Sequence, residues 1–181
     1  MGKIKTYRMS ISKVFPKKHQ KAGEETQFAD KIYCAICEYK DVETKHPIEM
    51  CCKNCKKIEC KGIKFHTCRI NLKLWKKRID EVNSGDAVLV LYEWTDKPYR
   101  SKTNELFRFD KDSGIGVQKL IFQQSSLDFP RVIRDNNAVV ALNPTVLAKN
   151  DGISIQYFKD WFKGYDLSKP MAIIHFTKFR Y

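Results

Sequence analysis

The sequence predicts an α+β fold, on three observations. Apolar residues recur at the helical period in three separate segments. Several runs rich in β-branched and aromatic residues read as strands, with Ala87–Trp94 and Met171–Phe179 the clearest. A cysteine-rich stretch from 34 to 60 interrupts this pattern and reads as a small insertion. At 181 residues the chain is expected to form a single domain, 1–181, large enough to bury its own core.

Ile4 to Ile11 alternates and is expected as a first strand. Basic and polar turns follow, and from Phe28 the pattern becomes helical. Phe28, Ile32, Ala35, Ile36 and Tyr39 form one stripe, with Thr26 as the N-cap. Leu72, Trp75, Ile79 and Val82 make the stripe of a second helix that Gly85 ends. Ala87–Trp94 and Asn104–Asp110 are strands joined by Lys97-Pro98-Tyr99-Arg100-Ser101-Lys102. Val117–Phe122 and Arg131–Leu142 are further strands. Ile155, Phe158, Trp161, Phe162 and Tyr165 form a broad aromatic stripe on a last helix, Ser154 to Lys163, and are assigned to the core. Gly164 and Pro170 separate that helix from the closing strand, Met171–Phe179, which is apolar enough to be central.

Lys and Arg number 34 against 21 Asp and Glu, a net charge of +13. Such a surplus favours an anionic partner, with nucleic acid the commonest. Hydrophobic content of 43% and charged content of 30% fit a globular chain and exclude a disordered one. No segment approaches the roughly eighteen apolar residues of a membrane span, and residues 1–5 lack the apolar core of a secretory signal. A cytoplasmic location is therefore expected. Gly114-Ile115-Gly116-Val117-Gln118-Lys119 lacks both the third glycine of a dinucleotide loop and the Gly-Lys-Ser/Thr of a phosphate loop, so neither is assigned.

Seven cysteines without a secretory signal point to thiols or metal ligands rather than a disulfide framework. Cys34 and Cys37 lie about 180–240° round the first helix from Phe28 at about 100° per residue, away from its apolar stripe. Together with Cys52 and Cys55 they make the double Cys-x-x-Cys of a structural zinc site. Cys51 and Cys60 are rival ligands, and His46 is read as a surface residue. The alternative is a cluster of unliganded thiols.

Between this insertion and the second helix lies Gly62-Ile63-Lys64-Phe65-His66-Thr67-Cys68-Arg69. If Phe65 to Ile70 is extended, Thr67 and Arg69 share one face and His66 and Cys68 the other. Lys64 falls with His66 and Cys68, unless a turn at Gly62 swings it round. Gly62, Lys64, Thr67 and Arg69 match, without gaps, the Gly-x-Lys-x-x-Thr-x-Arg signature of ASCH domains, and the stretch resembles that family. Ser84-Gly85-Asp86 before Ala87–Val90 looks like the family's Gly-Asp turn into a strand. Asp151-Gly152-Ile153-Ser154, a helix and then Met171–Phe176 are similar to its closing helix and strand.

The resemblance implies a PUA-like mixed β-barrel with flanking helices. It implies binding of RNA or a modified nucleotide in a cleft lined by Lys64, Thr67 and Arg69. Some members resemble amidohydrolases that remove the acetyl group of acetylcytidine. Carried over from those members, Lys64 is the base, Thr67 the nucleophile, and Asp151 stands where they have a glutamate. A threonine hydroxyl needs such a base, and a desolvated lysine can serve as one. Arg69 would hold a phosphate or a developing oxyanion. The aspartate is one methylene shorter than the family's glutamate, and its ordinary role beside Gly152 is to start the following helix. Binding therefore ranks before catalysis. Tyr99 and Arg100, an aromatic beside a cation, are a second candidate contact site for a nucleic acid, the alternative being a plain basic hairpin connection.

Overall fold

The computed structural model describes residues 4–42 and 62–181. Its strands are β1 Lys5–Ser10, β2 His66–Arg69, β3 Ala87–Trp94, β4 Thr103–Phe109, β5 Gly116–Phe122, β6 Pro130–Ile133, β7 Val139–Ala141 and β8 Met171–His175. The helices are α1 Phe28–Val42, α2 Leu72–Asn83, α3 Pro144–Asn150 and α4 Ile155–Trp161. The chain is thus α+β, as its periodicities require.

The strands form two sheets. One has three strands in the order β1-β3-β4, with β1 parallel and β4 antiparallel to β3. The other has five in the order β2-β8-β5-β6-β7, all antiparallel. A barrel needs its edge strands to hydrogen-bond to each other and close. Among the described residues no such closure exists, so the expectation of a closed barrel is corrected to two open sheets. The lengths explain this in part: β7 has 3 residues and β2 has 4, too few for a long closing ladder. Helix α2 instead spans the two sheets, packing on β3 of one and on β5 and β8 of the other. Its stripe Trp75, Ile79 and Val82 is buried there, and Asn71 caps its start by accepting from the Leu74 N–H.

The apolar run of β8 does lie inside its sheet, flanked by β2 and β5 and buried at every position. The expected strand from Arg131 to Leu142 divides into β6 and β7. Asn137 takes φ 61 in the turn, and Ala138 N–H donates to Asn136 Oδ1 at 3.1 Å. Helix α3 has no counterpart in the expected elements. Asn143 caps it by accepting from Thr145 N–H at 2.8 Å, and Pro144 opens it. Thr26 accepts from Phe28 N–H at 3.3 Å, as an α1 cap should.

Cys34 does not face outward. It is 6% exposed, and the buried arc of α1 runs from Ile32 and Phe28 through Ala35 round to Cys34. That arc is wider than the apolar stripe because the chain around Gly62–Phe65 packs on it. Lys64 N–H donates to Lys31 O at 3.0 Å, and Lys31 Nζ donates to Gly152 O at 2.8 Å. Cys37 is half-buried. Cys52 and Cys55, like Cys51, Cys60 and His46, lie outside the described residues.

Candidate functional site

The motif is built where three elements meet. Gly62 takes φ 101, a left-handed conformation that a side chain would strain, and turns the chain toward α1. The Lys31 carbonyl of α1 holds Lys64, and the Asn150 carbonyl at the end of α3 accepts from Phe65 N–H at 2.8 Å. From His66 the chain is strand β2, paired Thr67 to Ile174 and Arg69 to Ala172 of β8. The residues before β2 are thereby pressed against the turn that follows α3, which carries Asp151.

Lys64 is 1% exposed and Asp151 5%, and Lys64 Nζ donates to Asp151 Oδ1 at 2.7 Å and also to the Asp151 carbonyl. The ammonium sits 4.2 Å from the centre of the Phe28 ring. Asp151 does not begin α4. Its backbone N–H closes α3 on Leu147 O and the Gly152 N–H closes it on Lys149 O, each at 3.0 Å, while Ser154 caps α4. Burial pulls the Lys64 ammonium below its ordinary pKa, with Asp151 opposing. For Asp151, burial alone would raise the carboxyl, but the Lys64 charge and the neighbouring His66 imidazole outweigh it and hold the carboxylate low. Gly152 makes this approach possible: a Cβ there would lie 3.0 Å from Lys64 Cβ.

His66 and Cys68, on one face of β2, reach the same carboxylate from the other side. His66 Nδ1 is 3.6 Å from Asp151 Oδ1, and His66 Nε2 is 2.8 Å from the Tyr181 hydroxyl, which also accepts from Asn150 Nδ2 at 3.0 Å. Burial lowers the His66 pKa and raises the Cys68 thiol well above its usual value. One ligand atom each from His66, Cys68 and Asp151 lies within 4.8 Å of the others, close enough to hold a metal ion. The Lys64 ammonium already satisfies that carboxylate, so a cation would have to displace it.

A pocket of about 210 Å³ opens beside this pair. Lys64, Thr67, Arg69 and Asp151 all line it, so the four residues singled out in the sequence converge. It takes in residues from both faces of β2 because β2 is an edge strand, with β8 on one side alone. Arg69 donates through Nη2 to Ser10 O at 2.6 Å, while its buried Nε has no partner. Four aromatic residues also line the pocket: Phe28, Trp161, Phe162 and Tyr165. Helical spacing assigns the last three to the core. Phe162 is indeed buried, but Tyr165 is exposed and Trp161 half-buried, so the stripe serves core and pocket together. Three aromatics within five residues, running past the helix end, were the available signal.

Tyr99 and Arg100 do not line this pocket. They stand at the tip of the β3–β4 hairpin, where Tyr99 is 88% exposed and packs 5.3 Å from Trp94. Also unforeseen are His175 and Tyr181, which pack against His66 at 5.6 Å each behind the motif. Among the described residues no helix is long and apolar enough to cross a membrane. No family model, curated protein or solved structure matches this chain, so the ASCH resemblance rests on the motif residues themselves.

Proposed function

We propose that this chain is an ASCH-type protein that binds RNA, holding one base or modified base in the pocket beside Lys64 and Asp151. The observation that carries this reading is the pocket's composition. Thr67, Arg69 and the Lys64–Asp151 pair line it together with four aromatic residues. A planar ring with hydrogen-bonding edges suits such a site, since aromatics stack its faces and the polar groups read its rim. About 210 Å³ is below the usual range for drug-sized ligands, which fits a single ring rather than a whole nucleotide. The charge of +13 supports a phosphate-bearing ligand outside the pocket. No barrel is part of this proposal.

The test is a titration of single-stranded RNA at rising salt. Affinity falling steeply with salt, and weakened by Arg69→Ala, supports the reading. Salt-independent binding, or binding indifferent to Arg69, overturns it.

A second reading is favoured by one observation, the 2.7 Å Lys64–Asp151 bond in the pocket that holds Thr67. In an amidohydrolase acting on acetylated cytidine, Thr67 Oγ1 would attack the amide carbonyl as Lys64 takes its proton. The C–N bond would break with that proton passing to the leaving cytidine amine, and water would then release acetate from the acetyl-threonine. An ammonium bonded to a carboxylate cannot accept that proton until it has lost its own, which is why binding is ranked first. Release of acetate from acetylcytidine, abolished by Thr67→Val, would reverse the ranking.

A structural zinc on Cys34, Cys37, Cys52 and Cys55 belongs to the same proposal, its support being the paired Cys-x-x-Cys spacing. The burial of Cys34 suits a closed structural site rather than an open catalytic one.

A further inference from the structure

Strand β3 presents Tyr92 and Trp94 on one face, two residues apart, while Leu89 and Leu91 fill the core from the other. The two rings meet edge to face at 5.7 Å, and Trp94 meets Tyr99 of the hairpin tip at 5.3 Å. The guanidinium of Arg8, on the neighbouring β1, lies 4.4 Å over Tyr92 and donates to Thr103 Oγ1 at 2.9 Å. The three rings therefore form a contiguous ladder from the half-buried end of β3 to the exposed hairpin tip, with Arg8 over the Tyr92 ring.

The far end of the ladder is held in an unusual state. Tyr99 takes φ 63, which a bulky residue rarely adopts, and exposes nearly all of its ring. The turn around it is pinned: Arg100 N–H donates to Lys97 O at 3.1 Å, and Asp96 N–H to Ser101 Oγ at 3.1 Å. Lys97, Arg100 and Lys102 are exposed beside it, with Asp96 the nearest opposing charge in the turn. Glu105, opposite Tyr92 in register, is engaged by Arg108 at 3.1 Å.

The near end leads to the pocket. Tyr92 is the register partner of Ser10, and the Ser10 carbonyl accepts the 2.6 Å bond from Arg69 of the pocket. Exposed aromatic rings with lysines and arginines beside them are what a single-stranded nucleic acid uses: bases stack and phosphates pair with arginine and lysine.

We infer that Tyr92, Trp94 and Tyr99 form a stacking track for the nucleotides flanking the base in the pocket, so that the ligand is a single strand rather than a free nucleotide or a duplex. This rests on the pocket reading above. A duplex keeps its bases stacked on one another and offers the ladder no free face.

The test compares three probes by fluorescence anisotropy or competition: a short single-stranded RNA, the same sequence as a duplex, and acetylcytidine monophosphate. Each is titrated against the full chain and against Tyr99→Ala and Trp94→Leu. Tyr99 is exposed enough that its replacement leaves folding intact, which circular dichroism checks. The expected result is a roughly tenfold weaker single strand in Tyr99→Ala, the loss of one stacked base, with mononucleotide affinity unchanged. Single-strand binding indifferent to both substitutions overturns the ladder, as does a duplex bound as tightly as the single strand. If the mononucleotide binds and the strand binds no more tightly, the ladder alone fails. If no probe binds the unaltered chain, the pocket reading fails with it.

Discussion

Lys64 Nζ and Asp151 Oδ1 lie 2.7 Å apart although 87 residues separate them in the chain, and both side chains are almost wholly buried. A buried pair of this kind is weak evidence of net stability, because desolvating both charges offsets most of their attraction. Removing one partner is another matter, since it leaves an uncompensated charge in the interior.

Lys64→Met or Asp151→Asn alone should therefore destabilise the chain by about 3–5 kcal/mol in urea unfolding. The double replacement Lys64→Met/Asp151→Leu should cost far less than the sum of the single losses. Additive losses would mean that the two groups are not coupled.

Stability should fall on the acid side in two stages. Burial keeps His66 and His175 neutral, with pKa values below the ordinary 6.5, so below pH 6.5 the unfolded chain takes up protons that the folded chain refuses. Their contribution is complete above pH 6.5 and is lost as the pH falls toward the folded values. Asp151, held below 3.8 chiefly by Lys64 against the opposing effect of burial, adds a second loss as the pH falls below that value. Unfolding followed across this range should show a shallower first stage in His175→Phe. An unchanged slope would remove His175 from the account.

Tyr165→Ala should weaken RNA binding by about 1–3 kcal/mol, one stacked ring, while leaving the unfolding midpoint nearly unmoved, because Tyr165 lies at the exposed rim of the pocket. Thr67→Val should weaken binding less, removing a hydroxyl from the pocket lining without changing its shape. Calorimetric titration of the two variants checks the order, and a reversed order would shift the recognition from stacking to the polar residues of the lining.

Elemental analysis should find about one zinc per chain, lost in Cys37→Ser and kept in Cys68→Ser. The opposite pattern would assign the metal to His66, Cys68 and Asp151, and would require Lys64 to have been displaced from the carboxylate.

Much of the fold could be read locally. The stripe Trp75, Ile79, Val82 specified α2 because a helix packed on sheets must bury one face. β-Branched and aromatic residues specified β3, and the unbroken apolar run of β8 required neighbours on both sides. Short local signals specify less: an Asn-rich turn splits one expected strand, and the seven-residue α3 carries little more than its Asn143-Pro144 opening.

The site divides in the same way. Gly62, Lys64, Thr67 and Arg69 belong together because they fall within eight residues, and their spacing along a short strand is local geometry. That Asp151 ends α3 and points at Lys64, rather than starting α4, was decided by the packing of α3 against the entry to β2. Whether the sheets closed into a barrel, and whether Cys34 faced inward, depended likewise on which surfaces met. Periodicity records which face of an element is buried, but it carries no record of what that face is buried against. The composition of the chain set its charge of +13, and the tertiary structure alone brought Asp151 and four aromatic residues to Lys64, Thr67 and Arg69 around a single pocket.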